Sequence, residues 1–449
     1  MIRTLPTVVS ILLSVCVASA SASPLTEAPP RRGALGIGAQ DADGAVEIAA
    51  VVEGGSAARM GVRKGDRLTK LNGVELQSVD DLLASLAALR AGEITTVTVE
   101  REGTEKVLTD TLAPRPLEQF VSGTVVPAGV SYQGGTLGAS LTMPKKSDSP
   151  PVVYYIQGLA CASMETSGNT DPNAGFFEDL LAAGYAVWRV EKPGMGDSVD
   201  TKHCRDVTYT EEAEAFRQGY KALLERDDID RTKIVLFGHS LGGLIAPGLA
   251  AEFDPYGTVV FGTLFSSWAE YRVKLARYQP VMLGNRSAAS SFANADALED
   301  GMMEIFRGTP ASQESRDALC AYYTCTDDGR IFGRNPAYWR TLEATDFVGA
   351  WSRVDTPVLS LAGESDIAII DDLDQRLIPL MTAAPEKATF QTAKGINHFM
   401  AQVGSPEQVY AERKAGTHRA AQFRYRSPDP NFGPTVGAYT VEWIAGLDG

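Results

Sequence analysis

A serine set between glycines, Gly238-His239-Ser240-Leu241-Gly242, is the part of this 449-residue sequence best suited to covalent chemistry. The apolar run Ile234-Val235-Leu236-Phe237 leads into it, and small and apolar residues continue at helical spacing through Ala250. That order predicts a strand, a sharp turn and a helix, with Ser240 on the turn. Glycines flanking the serine have no Cβ, so strand and helix can approach closely while the serine takes a strained conformation. Its hydroxyl would then project from the carboxyl edge of a sheet.

Such a hydroxyl is inert without a base and an acid that orients the base, expected in the order serine, acid, histidine. The chain has four histidines: His203, His239, His398 and His418. His203 precedes the serine, His239 lies inside the turn as a spacer, and His418 sits in a basic, polar stretch. His398 follows a strand-like run, KATFQTA, in a loop at a strand's carboxyl end, and is the expected general base. For the acid, Thr356 to Gly363 reads as a buried strand ending in Glu364-Ser365-Asp366. Asp366 is the choice and Glu364 its rival, whereas Asp371, Asp372 and Asp374 read as the solvated start of a helix.

Acyl transfer also needs donors for the charge that develops on the carbonyl oxygen. One would be the backbone N–H of Leu241, directly after the serine. The other is expected in the loop after the strand Pro151–Ile156, where Gln157-Gly158-Leu159 follows, and Leu159 N–H is assigned. Histidine is usual before the glycine of such loops; Gln157 departs from that, but a backbone donor does not depend on it.

The elements that must position these groups alternate along the second part of the chain. Residues 121–143 read as two antiparallel strands around the turn GVSYQGG. Strands near 152–157, 185–190, 233–238, 258–263, 357–362 and 387–393 then alternate with helical stretches, the α/β pattern. Residues 192–198 read as a turn, with Asp197 its stabiliser. The stretch from Thr263 to Pro357 is far longer than one crossover helix needs, and it is rich in aromatics. It is read as an inserted helical lid over about 268–350, with most of its aromatics forming the lid's own core.

On Ser240, Asp366 and His398, supported by YYIQGLACAS, GYAVWRVEKPGMGDS and LFGHSLGG, the region 120–449 resembles the α/β-hydrolase superfamily. Its serine aminopeptidase-like and lysophospholipase-like branch is the nearest. The resemblance implies an ester- or amide-cleaving serine hydrolase without a cofactor, and leaves esterase and peptidase open. A binding or scaffold protein with vestigial hydrolase chemistry is the other class, and the intact set of three residues weighs against it.

Residues 1–23 read as a secretory signal, with Arg3, a short apolar core and A-x-A-like cleavage sites, implying a periplasmic or secreted protein. Cys16 suggests a lipoprotein, but Val15 precedes it where a small residue is needed. Residues 33–114 form a separate small domain: Gly33-Ala34-Leu35-Gly36-Ile37 opens it, VEIAAVV and an Asn72-Gly73 turn follow, and Val79–Leu89 is an amphipathic helix. VTVEREG closes it. This region resembles a PDZ domain of bacterial envelope proteases. The resemblance implies capture of a peptide C-terminus, its carboxylate on the N–H groups of Leu35, Gly36 and Ile37 and its last side chain against Leu82, Leu83 and Leu86. The bland alternative is a domain that docks only on its own hydrolase.

The net charge of −15 disfavours nucleic acid and anionic membrane surfaces as partners, and no later stretch suits a membrane span. With the leader removed, Cys161, Cys204, Cys320 and Cys325 remain, an even number favouring disulfides with three possible pairings. Cys161 with Cys204 and Cys320 with Cys325 is the expected one. A metal site is the rival, but no Cys/His spacing supports it.

Overall fold

A computed structural model describes residues 23–166, 171–323, 325–326, 329–418, 422–429 and 431–448. The expected targeting segment lies outside the described residues except for Ser23. Across the larger sheet the strands run Leu25–Thr26, Gly123–Tyr132, Gly135–Pro144, Ala186–Val190, Val152–Ile156, Ile234–His239, Gly257–Phe261, Val358–Gly363 and Ala388–Ala393. The early neighbours are antiparallel, and from Ala186–Val190 onward every pair is parallel. Helices cover both faces, which is why VVYYI, AVWRV and GTVVF are buried at every position rather than alternating. Tyr154, Trp188 and Leu236 pack into one face's core, and Val153, Tyr155 and Phe237 into the other. Strand order reverses beside Val152–Ile156, and the crevice at such a reversal lies beyond the strands' carboxyl ends. Gln157 and Ser240 both emerge there.

Three details differ from the sequence reading. The antiparallel pair is longer than GVSYQGG implies: Gly123–Tyr132 and Gly135–Pro144 meet at a two-residue turn. Gln133 and Gly134 take φ of +47° and +87° there, the twist-matched hairpin geometry. Leu25–Thr26, ahead of the small domain, adds an edge strand to the large sheet against Val130 and Gly129. A Cβ on Gly129 would lie 2.2 Å from the Glu27 carbonyl oxygen, so only glycine admits that close approach. The small domain also closes later than VTVEREG, because Thr104–Thr111 pairs along the whole of Ile94–Arg101.

Within the small domain, Ile37–Ala42 is an edge strand of the sheet that continues through Ala45–Val51, Arg67–Leu71, Ile94–Arg101 and Thr104–Thr111. Val79–Ala87 is a helix started by a reciprocal cap between Ser78 and Asp81. Leu35, Val46, Ile48, Leu68, Leu82 and Val99 form the core. An ionic seam ties the domain to the hydrolase sheet. Arg31 bonds Glu165 and Asp197, Asp197 accepts the Arg32 N–H at 2.8 Å, and Arg90 donates to the Ser198 carbonyl at 3.0 Å. Asp197 therefore links the two parts rather than only stabilising its own turn.

Between Gly257–Phe261 and Val358–Gly363 lie the helices Trp268–Met282, Ala288–Arg307, Gln313–Tyr322, Pro336–Glu343 and Phe347–Trp351. Trp268, Tyr338, Trp339 and Trp351 are buried in the core these helices share with the sheet, while Tyr278 and Phe292 stay exposed. Disulfides join Cys161 to Cys204 and Cys320 to Cys325.

Candidate active site

Ser240 follows the strand Ile234–His239 directly and takes φ of +54°, a left-handed conformation rare for a residue with a Cβ. The surrounding glycines make this turn possible. A Cβ on Gly238 would meet Gly243 Cα at 2.7 Å, and one on Gly242 would meet the Ile156 carbonyl oxygen at 2.1 Å. Strand, turn and the helix Gly242–Phe253 are thus packed backbone to backbone, and the Ser240 N–H is anchored on the Phe261 carbonyl at 2.9 Å.

The structure brings Ser240, His398 and Asp366 together. His398 Nε2 lies 3.0 Å from Ser240 Oγ, and its Nδ1 lies 2.7 Å from Asp366 Oδ2. Asp366 Oδ1 accepts the N–H groups of Ala368 and Ile369, each at 2.9 Å, which fixes the carboxylate's orientation. Burial pulls the His398 pKa down, but the Asp366 charge and hydrogen bond outweigh it, so the value is raised above that of a free imidazole. Such an array can draw a proton from the serine through Nε2 while Nδ1–H remains on the carboxylate. The rival Glu364 instead accepts the Gly395 N–H, away from the imidazole. His203 caps the Arg205 N–H in another loop.

His239 is more than a spacer. Its Nε2 lies 2.7 Å from the His398 carbonyl oxygen and its Nδ1 lies 3.0 Å from the Tyr155 hydroxyl. A carbonyl only accepts, so Nε2 carries the proton; the Tyr155 hydroxyl, which has a single proton, lies 3.0 Å from both His239 Nδ1 and Asn173 Oδ1. Burial, then the nearby His398, push the His239 pKa down to about 4, which keeps the ring neutral. No residue pattern signals this role, because the acceptor is backbone 159 positions away.

Segment 157–165 crosses the serine. A Cβ on Gly158 would sit 3.0 Å from Ser240 Cβ and 3.4 Å from its Oγ, so this peptide lies directly over the hydroxyl. Among the described residues, neither the Leu159 N–H nor the Leu241 N–H has an acceptor. Two buried cations hold the segment from behind: Lys192 Nζ donates to the Gly158 carbonyl at 2.5 Å, and Arg334 Nη2 to the Leu159 carbonyl at 2.6 Å. Beside the imidazole lies an open, shallow concavity whose apolar wall includes Ile367, Phe399, Val403 and Val409. No group of three or more metal-ligating side chains occurs among the described residues, and no helix there is long and apolar enough to cross a membrane.

A profile described as the alpha/beta hydrolase family matches residues 168–413, and a PDZ domain profile matches residues 33–111. A probable periplasmic serine endoprotease DegP-like from Brucella suis biovar 1 (strain 1330) is 31% identical over 121 residues, which is 27% of this chain and 23% of that protein. Its counterpart in Brucella abortus (strain 2308) matches to the same extent, so the match spans about a quarter of these curated relatives. Among solved structures, Est1E from Butyrivibrio proteoclasticus with ferulic acid bound is 18% identical, covering 65% of this chain and 98% of that one, with a TM-score of 0.42. The alpha/beta hydrolase GrgF from Penicillium sp. sh18 is 15% identical over 66% of this chain and 99% of its own, also at a TM-score of 0.42. With its hydrolase profile spanning more than half of the sequence, the chain belongs to the alpha/beta hydrolase family and carries a PDZ domain ahead of the hydrolase domain.

Proposed function

We propose that this is an exported serine hydrolase that cleaves an ester or amide bond through an acyl-enzyme on Ser240. The observation that carries the reading is the continuous relay from Ser240 Oγ through His398 to Asp366, at 3.0 and 2.7 Å. As Ser240 Oγ bonds to the substrate carbonyl carbon, His398 Nε2 takes its proton and Asp366 stabilises the imidazolium. The negative charge formed on the carbonyl oxygen is received by the N–H groups of Leu159 and Leu241. His398 then protonates the departing alcohol or amine as the bond to it breaks. Water, deprotonated by the same imidazole, releases the acyl group from the serine.

Export is supported by the leader-like residues 1–23, by the two disulfides and by the periplasmic description of the DegP-like relative. A peptide C-terminus is the proposed ligand of the PDZ domain. Ile37–Ala42 is an unpaired sheet edge beside the helix Val79–Ala87, suited to strand addition. Gly36, at φ +73°, lets the backbone turn its N–H groups toward an anion.

A fluorophosphonate probe tests the catalytic reading. Wild type is expected to label and Ser240→Ala to remain unlabelled; equal labelling of both removes the assignment. For the small domain, a library of C-terminal peptides should yield binders whose affinity drops when the carboxylate is amidated, and indifference to amidation removes that claim.

A further inference from the structure

Two cations and one carboxylate are buried together behind segment 157–165, where the proposed reaction does not use them. Lys192, Glu212 and Arg334 are 0%, 0% and 1% exposed. Lys192 follows the strand Ala186–Val190, Glu212 lies in the helix Tyr209–Leu224, and Arg334 precedes the inserted helix Pro336–Glu343. Glu212 Oε1 pairs with Lys192 Nζ at 2.9 Å and its Oε2 with Arg334 Nη1 at 2.7 Å. The Tyr338 hydroxyl donates to Glu212 Oε1 at 3.3 Å, and the Arg334 guanidinium lies 4.3 Å from the Tyr338 ring centroid. Burial would raise the Glu212 pKa, but the two cations outweigh it and hold it below the usual range.

Stability alone is a poor account of such a cluster, since buried ion pairs of this kind gain little over apolar packing of the same shape. Direction is what the cluster supplies. Among the described residues no peptide bond is cis, so the Gly158 carbonyl and the Leu159 N–H belong to one trans peptide plane and point opposite ways. Gripping Gly158 O from behind with Lys192 therefore aims the Leu159 N–H forward, over Ser240. Arg334 fixes the adjoining plane through Leu159 O. A cation on the carbonyl also draws charge through the amide and makes its N–H a stronger donor. Burial lowers the Lys192 pKa to about 8, so at neutral pH one net positive charge remains in the cluster, on the side of the serine where negative charge would develop.

We propose that Lys192 and Arg334 are positioning residues that aim and polarise the Leu159 N–H at the oxyanion of the tetrahedral intermediate. The inference rests on the serine-hydrolase reading above. It makes the inserted helices, through Arg334, part of the active-site support.

The test compares full-length wild type with Lys192→Met, Lys192→Arg and Arg334→Met on a p-nitrophenyl acyl ester, alongside inhibition by phenylboronic acid, whose serine adduct is tetrahedral. Lys192→Met is expected to lower kcat on the order of 10- to 100-fold with KM little changed. Boronate affinity should fall by the same factor, because both report tetrahedral geometry. Lys192→Arg should recover most of the loss. Should Lys192→Met not fold, Arg334→Met, which frees Leu159 O while leaving Lys192 on Glu212, carries the same paired readout. Unchanged kcat in folded variants, or a kcat loss without a matching loss of boronate affinity, overturns the positioning role. Failure of wild type to label with fluorophosphonate would instead overturn the hydrolase reading, and this inference with it.

Discussion

Replacing His239 with glutamine removes a buried imidazole that the fold keeps neutral, and the consequence for stability against pH follows from its protonation. In the unfolded chain this histidine titrates near its ordinary value of about 6.5. In the folded protein, burial and the neighbouring His398 push it down to about 4. Between these values the unfolded chain binds more protons, so the wild type loses stability as pH falls through that window. Relative to pH 7, the loss from this one group is about 2 kcal/mol at pH 5 and about 3 kcal/mol at pH 4. Glutamine does not titrate and can still donate to the His398 carbonyl, so His239→Gln should lack this part of the acid sensitivity. All five tryptophans, Trp188, Trp268, Trp339, Trp351 and Trp443, lie outside the PDZ region, so their fluorescence reports unfolding of the hydrolase part. Urea unfolding of both proteins at pH 7, 6 and 5 should show curves that converge as pH falls. Parallel curves would refute the neutral, buried imidazole and the tautomer assigned from it.

Asp366→Asn should lower kcat by on the order of 10³- to 10⁴-fold, because the amide no longer holds the Nδ1–H tautomer or stabilises the imidazolium. Asp366 also raises the His398 pKa, so the rise of kcat/KM with pH, expected above about 6.5 in wild type, should move to lower pH in the variant. An unmoved limb in a pH–rate profile would mean another group is the base. Gly262→Ala places a Cβ 3.1 Å from both Asp366 Oδ2 and His398 Nδ1, at a backbone φ of +58°. Activity on an acyl ester should drop on the order of 10- to 100-fold while the protein stays folded, and wild-type turnover would contradict the close packing. Glu191 is the opposite case from His239: burial pushes its carboxyl up to about 7, against the hydrogen bonds from Ser163 and Met164. Its favourable contribution is therefore present at pH 4.5 and lost as pH rises through 7. Glu191→Gln should gain about 2–3 kcal/mol on wild type between pH 5 and pH 8 in urea unfolding.

The parts of this molecule legible in the sequence are those whose requirement is local. Gly238 and Gly242 mark the turn at Ser240 because no other residue admits the backbone contacts made there, and the buried parallel strands show as unbroken apolar runs. Asp366 and His398 stand out because each follows a strand, Val358–Gly363 as a buried apolar run and Ala388–Ala393 as the mixed, half-exposed ATFQTA. Elements without a local pattern leave no such mark. Leu25–Thr26 is two residues long, and Thr104–Thr111 is largely exposed, so its TEKVLTDT has no apolar alternation to read. His239 reads as a spacer from its place inside the turn, and its acceptor, a backbone carbonyl, leaves no trace in residue types.

Segment 157–165 shows why the surroundings of Ser240, unlike Ser240, Asp366 and His398 themselves, are illegible in the sequence. It has no helix or strand of its own, so no internal hydrogen-bond ladder fixes its course. Its shape comes from partners spread over the chain. Lys192 and Arg334 hold the carbonyls of Gly158 and Leu159, and a disulfide to Cys204 holds Cys161. Glu191 accepts from Ser163 and Met164, and Arg31 and Arg115 hold Glu165. Each of these constraints is a contact between distant positions, and none is a pattern within the segment. The glycine turn positions Ser240 by close backbone packing and a backbone hydrogen bond to Phe261. The peptide facing it is held largely by charge, drawn from the flanks of the small domain, the end of the sheet and the inserted segment.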